Sequence, residues 1–318
     1  MADIFTMQCK NSTFNCSIEP ELYNFIFACG YATIFIPGLL TNSAALWILY
    51  NLIRKKRKAL IFMFNLSIAD FLHVLTFPLQ ILYYLYSNWP FQPAFCLTCL
   101  YFKYLNMYTS VVFLICISIQ RCIFLVNPFQ AKHWKQKYDI FISILVWLSV
   151  GAGCVSFVIS RELYPVNHRP CFTDIRMKNV ALEYLIAILT GSEMTGFILP
   201  LVIITICTWK TMQSLRKNQT FSQDKEKIKR ALRTILMCTA VFLMCFAPYH
   251  INLPFYSVAV HLQHCSSLCV LSFCNGIFVL LASLNCCMNP FIYYLTADEF
   301  RKHLFRRSQR LQSSLCAI

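Results

Sequence analysis

The 318-residue sequence is short of charge. Asp, Glu, Lys and Arg make up 13% of it, against 58% hydrophobic residues. A soluble domain carries about 25% charged residues, so this composition excludes a soluble globular enzyme and a disordered chain alike. Acid is the scarcer sign, with 13 Asp and Glu against 28 Lys and Arg and a formal charge of +15. Such an excess suggests nucleic acid only where the basic residues line one soluble face; here they fall in short links between apolar runs. Catalytic signatures are missing as well. There is no G-x-S-x-G, no H-E-x-x-H and no paired catalytic carboxylate, which argues against an intramembrane enzyme. No internal repeat is visible, which argues against an inverted-repeat transporter. Met1–Pro20 is polar and lacks the apolar core of a cleaved signal peptide, leaving targeting to the first apolar run.

What is present is length and hydrophobicity in the right units. Crossing roughly 30 Å of hydrocarbon takes about 20 mostly apolar residues in a helix. Seven runs qualify, at 23–52, 59–86, 94–126, 138–160, 181–210, 228–257 and 268–295. The expected fold is an all-α membrane protein, a seven-transmembrane helix bundle spanning 23–295. Before it lies an N-terminal segment, 1–22. After it, 296–318 holds a short amphipathic helix, with Phe300, Leu304 and Phe305 on one face and Arg and Lys on the other, lying on the membrane surface.

Basic residues set the orientation. The first link holds five, the third-span end and third link four, the fifth link eight and the tail five, hence 22 of the 28 on one side. That side is expected to be cytoplasmic and the N-terminus extracellular. Asn11-Ser12-Thr13 and Asn15-Cys16-Ser17 are then glycosylation sequons on the outer face. Cys316, beside the basic tail helix, is a palmitoylation candidate.

Most of the 18 cysteines lie within spans, where Cys behaves as a small hydrophobe. On the oxidising face, Cys96 and Cys171 make one expected disulfide, pinning the long outer loop over the bundle. Cys16 and Cys265 make a second expected pair, with Cys9 and Cys269 as competitors. Neither Cys96-Leu97-Thr98-Cys99 nor the His261, His264, Cys265 group has the matching pair that a four-ligand zinc site needs.

Ionisable groups inside spans face the bundle interior. Asp70 sits midway along the second span, and Asn285 and Asn289 share one face of the seventh. With Asn42 and Ser110 they form a candidate buried polar network, read either as inter-helix glue or as a cation site around the Asp70 carboxylate. Lys103, seven residues past Cys96, lies about 10 Å into the membrane. It calls for an anion, either Glu193 or a ligand in a cavity whose mouth also holds Tyr104, Tyr108 and Arg161. Arg121 falls at the opposite end of the same span. Pro78, Pro200, Pro248 and Pro290 mark expected kinks within four others.

Landmarks occur in order on all seven runs: Asn42, Asn65-Leu66-Ser67-Ile68-Ala69-Asp70, Arg121, Trp147, Pro200, Cys245-Phe246-Ala247-Pro248 and Asn289-Pro290-Phe291-Ile292-Tyr293. Together they resemble the rhodopsin-like (class A) G-protein-coupled receptors over essentially the whole chain. The resemblance implies a plasma-membrane receptor with a heterotrimeric G protein as partner, and arrestin and a receptor kinase as further partners. It implies no organic cofactor and an allosteric sodium ion at Asp70, Ser110, Asn285 and Asn289. Val111, Pro200, Phe242 and Phe246 would be the packing switch, and Arg121 with Tyr293 the cytoplasmic latch, with Pro248, Asn289 and Pro290 in the moving helices. Two departures stand out. The usual acid before the arginine is Gln120, and the usual span-five tyrosine is Thr208.

Within the family, Trp89-Pro90-Phe91, the run Lys103-Tyr104-Leu105-Asn106-Met107-Tyr108, Pro248-Tyr249-His250 and the Cys207-Thr208-Trp209-Lys210 end of span five resemble the purinoceptor-like group that contains lysophosphatidylserine receptors. That resemblance implies an anionic lysophospholipid ligand met by Lys103, Tyr104, Tyr108, Arg161, Glu193 and His250. Nucleotide-binding relatives carry a basic residue where this chain has Leu253, and the lysophospholipid group uses a basic residue where it has Gln80.

Overall fold

The computed structural model describes residues 6–9, 12–15, 19–55, 60–163, 171–172, 182–217, 222–262 and 265–296. Seven of its helical stretches are long and apolar enough to cross a membrane: Glu21–Arg54, Ile61–Tyr86, Pro93–Val126, Gln136–Ser156, Leu182–Arg216, Ile228–Leu262 and Ser267–Tyr294. Ahead of them, β1 (Thr6–Cys9) and β2 (Ser12–Asn15) form a small antiparallel hairpin that pairs Thr6 with Asn15 and Cys9 with Ser12, the one strand pair among the described residues.

The first span is one helix, α1 (Pro20–Arg54), and the second is split into α2 (Ile61–Val74) and α3 (Phe77–Tyr86). The third is α4 (Pro93–Val126), followed by a short loop helix α5 (Pro128–His133) and by α6 (Gln136–Leu163), the fourth span. The fifth runs from α7 (Leu182–Glu193) through a π-helical turn, Met194–Ile198, into α8 (Leu199–Lys217). The sixth comprises α9 (Ser222–Cys245) and α10 (Ala247–Leu262), and the seventh α11 (Cys265–Ser283) and α12 (Asn285–Thr296).

Each interruption has a proline a few residues beyond it. The proline ring clashes with the carbonyl four residues back and removes one ladder hydrogen bond. Pro78 accounts for the break after Val74, Pro200 for the π turn and Pro248 for the break at Phe246, whereas Pro290 lies six residues past the break at Leu284 and inside α12. Pro37 and Pro254 likewise lie inside helices that continue through them.

The packing is that of a bundle in lipid. Helix α4 runs through the centre, packed against α2, α6, α8 and α9, while α1 packs on α2, α3 and α12. The core holds Leu66, Phe113, Leu114, Phe242, Phe246 and Tyr293, all fully buried. Large apolar side chains such as Phe25, Leu40, Leu148 and Phe255 point outward instead, each 64% exposed. That arrangement would be untenable in water but matches hydrocarbon. A second cluster of rings fills the space between α1, α3 and α11. Phe27 stacks on Tyr84 at 5.2 Å, and Phe172, next to Cys171, meets Tyr83 at 5.0 Å.

Cys96 and Cys171 are disulfide-bonded, their Cα atoms 5.6 Å apart. Cys269, a competitor for the second bridge, is also disulfide-bonded. The Cys16–Cys265 pairing, the side chain of Arg161, Asn11, the amphipathic tail helix and Cys316 lie outside the described residues. Asn15 is described only as the last residue of β2.

Candidate functional site

Three sites emerge along the bundle axis. The first is a cavity of about 410 Å³ between α4, α6, α7, α10 and α11. Tyr104, Tyr108 and Val112 form its α4 wall, and Val150, Gly153 and Cys154 its α6 wall. Ile188, Leu189 and Ser192 line it from α7, Tyr249, Leu253 and Tyr256 from α10, and Asn275 from α11. Its size falls within the range of about 300–1,000 Å³ typical of ligand pockets, and so does its make-up, mostly apolar with a few hydroxyls and one amide.

The expected ligand residues divide around this cavity. Tyr104 and Tyr108 line it. Lys103 stands just outside, its Nζ 5.4 Å from the centroid of the Tyr104 ring, which is within cation–π range. Glu193 and His250 pair with each other instead. The Nδ1–H of His250 donates to Glu193 Oε1 at 3.2 Å, joining the fifth span to the sixth.

The π turn explains how that pair fits. A side chain at Gly196 would put its Cβ 2.5 Å from His250 Cε1 and 3.3 Å from Tyr108 Cε1, so glycine is needed for this close approach. Phe197, in the same turn, stacks on His250 and on Phe242, with ring centroids 5.8 Å apart in both cases. Phe242 in turn lies 6.3 Å from Phe246. Phe197 therefore connects the Glu193–His250 pair to the expected packing switch. Its spacing, four residues from Glu193 and three from Pro200, was the available signal. Gln80 is buried and donates to Thr76 Oγ1 at 2.9 Å, staying on its own helix.

The second site surrounds Asp70, which is fully buried. Asn106 Nδ2 donates to its Oδ1 and Asn289 Nδ2 to its Oδ2, both at 2.8 Å. Asn106 also approaches Ser110 Oγ at 3.4 Å and accepts from His73 Nδ1 at 3.1 Å, with Cys286 Sγ 3.7 Å from that same nitrogen. Asn106 and His73 thus join a network read in the sequence as Asp70, Ser110, Asn285, Asn289 and Asn42. Asn106 is four residues before Ser110 and His73 three after Asp70, spacings that put each pair on one helix face. Asn42 donates to the carbonyls of Cys286 and Gly38, at 2.7 and 2.9 Å, tying α1 to the broken start of α12. Asn285, also fully buried, makes no side-chain hydrogen bond, and Asn289 Oδ1 has none either.

The third site is the end of the bundle around Arg121. Its Nε is buried without a hydrogen-bond partner, and no carboxylate pairs with it among the described residues. Gln120 turns to α6, donating to Asp139 Oδ1 at 2.8 Å. Thr208 keeps its hydroxyl within its own helix, on the Ile204 carbonyl at 2.9 Å. Tyr293 is fully buried in the core.

The profile of the family described as 7 transmembrane receptor (rhodopsin family) matches residues 41–293, from the Asn42 landmark through Tyr293. The chain belongs to the rhodopsin-like receptors. It is therefore a multi-pass membrane receptor whose family partner is a G protein, and it is not an enzyme. Among its relatives it is 46% identical over 302 residues to the human putative purinoceptor 10, covering 94% of this chain and 89% of that one. It is 43% identical over 287 residues to the human "Probable G-protein coupled receptor 174", covering 89% and 86%. It is 30% identical over 307 residues to the human "Lysophosphatidic acid receptor 6", covering 94% and 89%. These place the receptor in the purinoceptor-like cluster.

Proposed function

We propose that this receptor responds to an anionic lysophospholipid, lysophosphatidylserine first among them, and passes the signal to a heterotrimeric G protein. The observation that carries this reading is an apolar cavity with a cation at its edge: Tyr104 lines the cavity, and the same ring carries the Lys103 ammonium. An acyl chain in the cavity gains about 0.8 kcal/mol for each CH₂ it buries. Lys103, joined by Arg161, meets the anionic head. Leu253 in the wall is apolar where a nucleotide phosphate would need charge. The lysophosphatidic acid receptor among the relatives supports the ligand class.

The receptor resides in the plasma membrane with its N-terminus outside, and its basic links face the cytoplasm and its anionic lipids. Ligand binding shifts a population rather than pushing a lever: the arrangement that binds ligand more tightly becomes the commoner one. Arrestin and a receptor kinase act on the same cytoplasmic face. The residues around Asp70 fit a small hard cation. Asp70, Ser110, Asn285 and Asn289 are all fully buried, and the amide oxygens of Asn285 and Asn289 have acceptor capacity to spare. Bound there, sodium would supply the positive charge opposite Asp70.

The test is G-protein activation in cells expressing the receptor, titrated with lysophosphatidylserine, lysophosphatidic acid, sphingosine-1-phosphate, ATP and UDP. The expected result is a lysophosphatidylserine response that Lys103→Ala weakens by roughly tenfold, the size of one charge-assisted contact, with surface expression unchanged. A response to ATP or UDP and none to the lysophospholipids would overturn the reading.

A further inference from the structure

Away from the ligand cavity and the Asp70 network, one more carboxylate is buried among the described residues. Asp139, in the first turn of α6, is 1% exposed. A single oxygen of it, Oδ1, accepts from Gln120 Nε2 at 2.8 Å and from Trp134 Nε1 at 2.7 Å. Gln120 precedes Arg121 on α4, and Trp134 is the first residue after α5. The Trp134 ring stands edge-on to Phe124 of α4 and Tyr138 of α6, with centroids 5.9 and 5.8 Å away. Ser143 Oγ donates to the Asp139 carbonyl at 2.7 Å and accepts from Asn65 Nδ2 at 3.2 Å, which brings α2 into the same contact.

We propose that Asp139 is a positioning residue for coupling: its carboxylate anchors the α5 segment to α4 and α6 and commits Gln120 to that anchor, setting the surface around Arg121 that the G protein meets. The proposal rests on the family's G-protein partnership and not on the ligand. A six-residue helix cannot hold itself in place, so the position of α5 depends on what its ends are tied to. Trp134 is that tie at one end. An N–H bonded to a carboxylate is roughly twice as strong as a neutral hydrogen bond, and a buried carboxylate needs such donors in turn. Each partner therefore requires the other. Position 120 carries an amide, which donates where a carboxylate could only accept, so Gln120 reaches outward to α6 and leaves Arg121 without a carboxylate among the described residues. The restraint acts on the frame around the arginine rather than on the arginine itself.

The deciding experiment uses the full-length receptor in lipid nanodiscs as wild type, Trp134→Phe, Gln120→Glu and the double variant Gln120→Glu with Asp139→Asn. Hydrogen exchange of the amides over 127–138 is read beside nucleotide exchange on purified heterotrimers of each Gα class, per folded receptor. Turnover is measured without ligand and with lysophosphatidylserine, and the higher rate is compared. Trp134→Phe removes only the N–H, and Gln120→Glu sets one carboxylate against another. Each is expected to speed exchange in α5 about tenfold and to lower G-protein turnover several-fold. The double variant is expected to recover both, because the amide of the new side chain at 139 donates to the new carboxylate at 120 and its carbonyl receives Trp134. Unchanged exchange in both single variants would overturn the anchor. Faster exchange with wild-type turnover would reduce Asp139 to a structural residue. A wild type that turns over no heterotrimer would leave no coupling for Asp139 to set, and would also sink the proposal.

Discussion

Asp70 and Asp139 are both buried carboxylates that accept two N–H donors, yet their surroundings are opposite. Asp70 takes one donor on each oxygen, from α4 and from α12, and Asn289 and His73 in its network, like the buried Asn285, keep polar atoms without partners. Asp139 takes both donors on one oxygen and sits against the Trp134 indole, with Ser143 closing the turn behind it. A partly satisfied buried network is costly and responsive, and a satisfied one is rigid. The first carboxylate joins α2 to α4 and α12, and the Asn289 amide that donates to it keeps an oxygen free for a cation. The second joins three consecutive elements and has little reason to rearrange. The same residue type serves as a responsive centre in the middle of the bundle and as a fixed anchor at its end.

The comparison breaks most visibly if both carboxylates respond alike to truncation. Asp139→Ala strands the Gln120 amide and the Trp134 indole N–H, each worth about 1–3 kcal/mol when left unsatisfied, so a loss of about 2–6 kcal/mol is expected. Thermal unfolding of purified receptor in detergent measures it. Asp70→Asn, in sodium-free buffer, keeps the volume, removes a buried charge and sets a new amide donor beside Asn289, whose Oδ1 lacks a partner. Its unfolding midpoint should stay at or above that of the wild type. Equal destabilisation by the two changes would mean that the Asp70 network is as rigid as the Asp139 anchor.

Sodium sharpens the contrast next. A ligand of the folded state stabilises it by about 1.4 kcal/mol when present at ten times its dissociation constant. Wild-type receptor should therefore show a rising midpoint as sodium replaces a large organic cation at constant ionic strength. Asp70→Asn should show no rise, whereas Trp134→Phe should keep the full rise. A sodium effect surviving in Asp70→Asn would remove the cation from this site.

Asn285 offers a smaller effect of opposite sign. Its fully buried amide makes no side-chain hydrogen bond, so Asn285→Ala relieves an unmet polar group at the expense of a small void. The net expectation in sodium-free buffer is stabilisation of about 1 kcal/mol, together with a loss of the sodium-dependent rise. Destabilisation without sodium would show that the amide already has a partner.

How much of this was legible in the sequence depends on the range of the interaction. The spans were legible because hydrocarbon thickness fixes their length: 94–126 became Pro93–Val126, and 59–86 became Ile61–Tyr86. The breaks were legible at Pro78, Pro200 and Pro248 because the clash is local, but Pro37, Pro254 and Pro290 sit inside helices that continue through them, so proline alone does not decide a kink. Asp70 with Asn289 was legible as polar residues placed where lipid forbids them. Asn106 and His73 were missed although their spacing was available, because each also reads as an ordinary helical polar residue. For Lys103 the sequence left a choice of anion between Glu193 and a ligand, and Glu193 bonds His250. Which partner a buried charge takes depends on helix rotation, and here on a π turn around Gly196 that no periodicity shows. Asp139 escaped notice altogether. At a span end it looks like an ordinary first-turn acid, and only the fold brings Gln120 and Trp134 to it.

Ser143→Ala is the finest cut between the two carboxylates. It removes two hydrogen bonds at the Asp139 end, one donated to the Asp139 carbonyl and one accepted from Asn65. By bond count it should match Asp139→Ala. By the orphan criterion it should not, because every donor keeps a partner: Asn65 Nδ2 still reaches the Ile61 carbonyl at 2.9 Å, and Asn65 Oδ1 still receives Trp147 Nε1 at 2.8 Å. The Asp139 carbonyl likewise remains a helix-ladder acceptor. The expected loss is about 0.5–1.5 kcal/mol, the net worth of ordinary hydrogen bonds, with α5 exchange unchanged. A loss as large as that of Asp139→Ala would show that the anchor acts through the α6 backbone and its contact with α2. A small loss would assign the strength of that end of the bundle to one carboxylate oxygen and the two N–H groups that depend on it.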